Sequence, residues 1–166
     1  MIKDVLKIGD KLLLETSVQI NQHEFNTVEL NNLITDMRDT MHENGGVGIS
    51  AIQIGIKKRV AIIEYDGNNP RYKDIGNCPL TVVINPEITV VGDEVSEYNE
   101  GCLSVPDARG LVTRPKHISY KFFDESGALV TGDDSGFFAR VMQHEIDHMD
   151  GILFTMRIDN FSGDVM

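Results

Sequence analysis

His144-Glu145-Ile146-Asp147-His148 sets two imidazoles four positions apart, with a carboxylate beside the first. On a helix that spacing puts both rings on one face about a turn apart, so both can reach one metal ion. Glu145 can then face a water at that ion without being a ligand. A lone helical His is ordinarily a solvated or hydrogen-bonded side chain, but the full pattern points to metal chemistry. The third ligand is not offered downstream. A zinc protease with the extended motif needs a His where this chain has Phe154; only Asp150, Asp159 and Asp164 supply acids beyond His148, and no Glu follows. An upstream donor is therefore expected.

Two cysteines are available, Cys78 and Cys102. Cys102 lies in Glu100-Gly101-Cys102-Leu103-Ser104-Val105-Pro106, where Gly101 permits close backbone approach and Pro106 is expected to stop a regular strand. A Cys, His, His set leaves one tetrahedral position open, which separates a catalytic from a structural site. A third segment, Gly45-Gly46-Val47-Gly48-Ile49-Ser50-Ala51-Ile52-Gln53, packs three glycines into four residues and carries a polar amide into an apolar run. It is not a phosphate loop, since no Lys-Ser or Lys-Thr follows and no dinucleotide-type glycine spacing is complete.

Together, Gly46 to Gln53, Glu100 to Ser104 and His144 to His148 resemble the peptide deformylase family, in the family's order and at similar separations. Ile49 and Ser50 stand where the family has Leu and Ala, and the opening Val5-Leu6-Lys7-Ile8-Gly9-Asp10 is also similar, with Gly9 at a usual Pro. The resemblance implies that Cys102, His144 and His148 hold a divalent metal, Fe2+ foremost, with Zn2+, Ni2+ or Co2+ also suited to those donors. It implies that Glu145 is the general base and acid, and that Gln53 with the backbone N–H of Leu103 stabilises the oxyanion. The substrate would be an N-formylmethionyl nascent peptide, losing its formyl group as formate. It would lie extended against Val47 and Gly48, with Gly101 and Arg109 beside it and the methionine among Val47, Tyr98, Phe137 and Val141. Glu100 and Arg114 match a pair bracing the cysteine loop. Some deformylases end in a basic helix suited to ribosomal RNA; here Arg157 is the only basic residue after Gly151, so any ribosome association is expected to be transient.

The elements that must position these groups are partly legible. Ser135 is the expected N-cap of a motif helix with Phe137, Phe138, Val141, Met142, Ile146 and Met149 at helical spacing, closed by Gly151. Asn26 with Glu29 is expected to cap an earlier helix whose stripe is Val28, Leu30, Leu33, Ile34, Met37 and Met41, ending at Asn44-Gly45. Strands are expected over 59–65, 80–85, 87–91 and 117–123, with a polar loop at 66–78. This points to an α+β fold, for which the resemblance implies mainly antiparallel sheets around the motif helix and an N-terminal helix packed outside.

At 166 residues the sequence suits one domain, 1–166, able to bury roughly 70% of its unfolded surface. There is no membrane-length apolar run and no secretory segment, and a needed thiolate suits a reducing cytoplasm. The net charge of −11 disfavours nucleic-acid binding. Two rival readings stand beside the deformylase. One is a closed structural zinc site of Cys78, Cys102, His144 and His148; the other is a metallopeptidase using the same Glu145.

Overall fold

The apolar stripe over 28–41 closes into one helix, α1 (Val28–Glu43), in a computed structural model that describes residues 1–158. Asp159, Asp164 and the rest of the tail lie outside the described residues. Leu30, Ile34, Met37 and Met41 are buried, but Val28 is 69% exposed and lies off the stripe. The cap is Thr27, whose Oγ1 accepts the Leu30 N–H at 3.2 Å; Asn26 instead takes a positive φ of 59°. Thr27 prevails because its hydroxyl also donates to the Glu24 carbonyl at 2.7 Å, fixing the entry to the helix. Asn44 and Gly45, the latter at φ +67°, end it as expected.

The strands are β1 (Gly48–Ser50), β2 (Val60–Tyr65), β3 (Cys78–Val90), β4 (Val95–Cys102), β5 (Val105–Pro115), β6 (Ile118–Phe123) and β7 (Leu129–Asp134). Five form one antiparallel sheet in the order β1-β2-β3-β6-β7, while β4 and β5 pair as a separate hairpin. Because strand side chains alternate faces, β2 divides its apolar residues. Val60 and Ile62 meet α1, whereas Ala61 and Ile63 join Val141, Met142, Ile146 and Met149 of the second helix, α2 (Phe137–Met149). The expected α+β class with antiparallel sheets therefore holds. The motif helix lies between sheet and hairpin, and α1 covers the sheet's other face. No helix among the described residues is long and apolar enough to cross a membrane.

Three local expectations are corrected. The stretches 80–85 and 87–91 form one strand, because the register shift between Ile84 and Glu87 takes up Pro86 and leaves Asn85 at φ +50°. Asn85 then exchanges two hydrogen bonds of 2.9 Å with the Ile20 backbone, so the irregularity anchors the N-terminal arm. Pro106 does not stop β5. It falls in the unpaired residues between Val105, which faces Cys102, and Arg109, which faces Gly101, where its missing N–H disturbs no cross-strand pair. The N-cap position of α2 is Gly136, not Ser135, and the capping oxygen comes from Asp134, whose Oδ2 accepts the N–H of Gly136 at 3.0 Å and of Ala139 at 2.8 Å.

Candidate active site

Two elements bring the chemistry together. α2 carries His144, Glu145 and His148, and β4 delivers Cys102 at its last residue, where the hairpin register slips. One ligand atom from each of Cys102, His144 and His148 lies within 4.8 Å of the others. Cys102 Sγ is 3.3 Å from His148 Nε2, and the two imidazole centroids are 5.0 Å apart. His144 Nδ1 is engaged by Glu100 Oε1 at 2.8 Å, which leaves Nε2 as its donor atom towards the cluster. Burial alone would raise the Cys102 thiol, but the neighbouring His148 and His144 pull it well below its usual value, so the thiolate is the favoured form. A thiolate and two imidazoles at this spacing fit a divalent transition metal. Cys78 is not part of the cluster. Its thiol bonds Thr81 Oγ1 at 3.6 Å, and it faces Tyr65 across β2 and β3, which removes the four-ligand structural site among the described residues.

Glu145 is 3% exposed. Burial raises its carboxyl above the usual value, although both imidazoles oppose this. Ser50 Oγ donates to the Glu145 carbonyl at 3.0 Å and approaches Oε2 at 3.4 Å; Oε1 lies 4.0 Å from His144 Nε2. Gln53, on the 3-10 turn Ala51–Ile54, accepts the Ser50 N–H at 2.9 Å. Its Nε2 therefore points to Ser104 Oγ at 3.1 Å and Cys102 Sγ at 3.6 Å.

Glu100 anchors the hairpin to α2. Its carboxylate accepts from Arg114 Nε at 2.6 Å and Nη2 at 3.0 Å, from Arg140 Nη1 at 2.8 Å, and pairs with His144. Burial would raise this carboxyl, yet His144 and Arg114 hold it well below the usual carboxylate range. Arg114 continues to Asp147 Oδ2 at 2.8 Å, and Arg140 to the Ser96 carbonyl at 2.9 Å. The expected Glu100–Arg114 pair is thus one part of a larger buried network.

A partly open cleft lies above the cluster. Val47, Gly48, Gln53, Tyr98, Gly101, Cys102, Leu103, Phe137, Val141, His144 and Glu145 line it, bringing together nearly all the residues singled out in the sequence. His148 is fully buried within the Cys102, His144 and His148 cluster and is not in the cleft wall. Arg109 lies in the adjoining groove, its guanidinium 4.6 Å from the Tyr72 ring centroid. Gly48 is required sterically: a Cβ there would stand 2.9 Å from Val141 Cγ1 and 3.3 Å from Glu145 Cδ. The apolar wall is aromatic, with Phe137 at 5.0 Å from Tyr65, 5.4 Å from Tyr72 and 5.6 Å from Tyr98.

Arg71, Tyr72 and Arg140 also line the cleft, and the sequence reading missed them. For Arg140 a signal existed, a charge four residues before His144 on an otherwise apolar face. Arg71 and Tyr72 gave none, because they sit in the polar loop and reach the site only through folding.

Comparison with known proteins agrees with this geometry. The family model described as polypeptide deformylase matches residues 2–163. The chain is 45% identical over 160 residues to peptide deformylase 1 of Nitrosomonas europaea, spanning 96% of this chain and 89% of that protein. It is 43% identical over 162 residues to peptide deformylase 2 of Pseudomonas putida, with 98% and 90% covered. A Met-Ala-Ser-bound crystal structure of a class I type b peptide deformylase from Acinetobacter baumannii superposes with a TM-score of 0.91 at 40% identity, covering 95% of this chain and 99% of that one. With a family model over nearly the whole sequence and relatives above 40% identity, the chain belongs to the polypeptide deformylase family.

Proposed function

We propose that this cleft hydrolyses the formamide bond of N-formylmethionyl nascent peptides and releases formate, with residues 1–166 acting as one catalytic domain. The convergence of Cys102, His144 and His148 beside a buried Glu145 carries this reading. Those three residues would hold one metal ion through Sγ and two imidazole nitrogens. Fe2+ is the ion favoured by the family resemblance; Zn2+, Ni2+ and Co2+ suit the same donors, and cellular supply decides among them. When bound, the ion would supply Lewis acidity that lowers the pKa of a water far below its bulk value, to about 7.

The chain's own groups do the rest. Glu145 has Oε2 approached by Ser50 Oγ, so Oε1, facing the ligand cluster, takes the proton from the attacking water and passes it to the departing amine. Its raised pKa suits a group that must both accept and return a proton near neutrality. Gln53 Nε2 and the Leu103 N–H would donate to the formyl oxygen as it becomes negative, and being fixed in advance they favour the transition state over the substrate. The peptide would lie along the sheet edge at Val47 and Gly48, where β1 begins, passing Gly101, with Arg109 further along. Its methionine would enter the wall of Val47, Tyr98, Phe137 and Val141. We place this activity in the cytoplasm, with at most transient ribosome contact.

The test is anaerobic purification with metal analysis, followed by formate release from formyl-Met-Ala-Ser by wild type and Glu145→Ala. The reading requires one ion per chain and a rate loss of about 10²-fold or more in the variant. Cleavage of the unformylated twin would instead favour a peptidase.

A further inference from the structure

Beyond the catalytic cleft runs a second groove that shares Arg71, Cys102 and Leu103 with it and is otherwise lined by Lys7, Asn44, Pro70, Pro106, Asp107, Ala108 and Arg109. Its charge is opposite to that of the molecule. The chain carries a net −11, and ten of its fifteen lysines and arginines are ion-paired to carboxylates among the described residues. Lys7, Arg71 and Arg109 are three of the five that are not, and all three line this groove beside a single acid, Asp107.

They arrive from three separate segments and are held there by neutral contacts. Lys7 Nζ donates to the Leu103 carbonyl at 3.1 Å, while the adjacent Ile8 N–H bonds Ser104 O at 2.8 Å. Arg109 donates to the Arg71 carbonyl at 2.9 Å and covers the Tyr72 ring. Asn69 Oδ1 accepts the N–H groups of Arg71 at 2.8 Å and Tyr72 at 3.1 Å, pinning the loop. Arg71 Nη2 reaches Gly101 so closely that a Cβ there would lie 3.1 Å away. The fold therefore gathers three cations next to the reacting centre, none of them ion-paired to a carboxylate among the described residues, with Asp107 the one acid side chain of that lining.

We propose that this groove selects substrate peptides carrying a carboxylate shortly after the formylmethionine. This rests on the deformylase reading above. An extended chain advances about 3.3 Å per residue, so a side chain two or three places on falls about 7–10 Å beyond the methionine, where such a groove would receive it. The carboxylate is either an acidic side chain or, in a short peptide, the free C-terminus.

Two peptide pairs separate these sources. One is formyl-Met-Ala-Glu-Ala amide against its Gln counterpart; the other is formyl-Met-Ala-Ser as free acid against its amide. In low salt the acidic member should show a kcat/KM roughly 3- to 10-fold higher, carried by KM, with the ratio approaching one in about 0.5 M NaCl. Preference in the first pair assigns the side chain, and preference in the second alone assigns the terminus. In Lys7→Gln/Arg71→Gln the ratio should fall towards one whatever the absolute rates. Equal kcat/KM within both wild-type pairs, with formate released from every peptide, would overturn the proposal and leave the deformylase reading standing. Formate from none would overturn both.

Discussion

Replacing Glu100 with Gln tests whether one buried carboxylate ties the proposed metal ligands to the hairpin. The amide is nearly isosteric but can accept at only one of its two ends. Its NH2 must therefore confront two donors, either Arg114 Nη2 and His144 Nδ1 at the Oε1 end or Arg114 Nε and Arg140 Nη1 at the Oε2 end. Two charge-assisted bonds are lost, and two buried guanidiniums lose their shared counter-charge. Each such bond contributes about 1.5–3 kcal/mol, and breaking a buried pair typically costs about 3–5 kcal/mol. Arg114 keeps Asp147, and Arg140 keeps the Val112 and Ser96 carbonyls, so the lower part of that range applies. A destabilisation of about 3–4 kcal/mol leaves a folded protein against a total of about 5–15 kcal/mol, and lowers Tm by about 6–16 °C for a chain of this size. Urea unfolding of chelated wild type and variant measures it directly, without contribution from bound metal. Metal affinity should fall about 10- to 100-fold, because His144 loses the group that fixes its donor nitrogen. A chelated variant within about 1 kcal/mol of wild type would refute the reasoning.

Gly48→Ala should destabilise by about 1–3 kcal/mol and cut formate release, since its methyl group cannot enter between Val141 and Glu145 without moving β1 or α2; thermal melts and the formate assay read both effects. Cys78→Ser should leave the metal-to-protein ratio unchanged, as measured by elemental analysis, because its thiol bonds Thr81 outside the ligand cluster. The Glu64 carboxyl is held below its ordinary value of 4.5, chiefly by Arg38, so its contribution to stability is full above that pH and is lost as pH falls through the lower folded value. Arg38→Met should therefore cost up to about 1 kcal/mol at pH 7, discounted for the exposure of Arg38, and progressively less as falling pH protonates Glu64; urea melts over a descending pH series from pH 7 measure it.

What the sequence disclosed about this site follows how each residue is held in place. His144, Glu145 and His148 share one helix, so covalent spacing alone fixes their mutual geometry, and periodicity 3.6 shows which face they occupy. Cys102 was a candidate from its Gly- and Pro-flanked context and gained weight only in the company of the other motifs, since its approach depends on a register shift between two strands. Those strands were themselves missed, for a physical reason. Their inward positions carry Glu100 and Arg114, buried and paired with each other, so the apolar-in, polar-out alternation that marks an ordinary strand is broken where the hairpin meets the candidate ligands. Pro106 strengthened the misreading, because a residue that interrupts a ladder is harmless in an unpaired bulge, and bulges have no signature in one sequence. Arg71 and Tyr72 are harder still, since nothing local distinguishes them until Asn69 bonds the Gly45 carbonyl and brings the loop over the cleft. Arg140 could have been inferred: a guanidinium on the buried face of a helix requires a carboxylate, and Glu100, already assigned to the cysteine loop, was an available partner. A charge that breaks an apolar face thus carries information about the site, because the fold can bury it only by supplying its counter-ion from another segment.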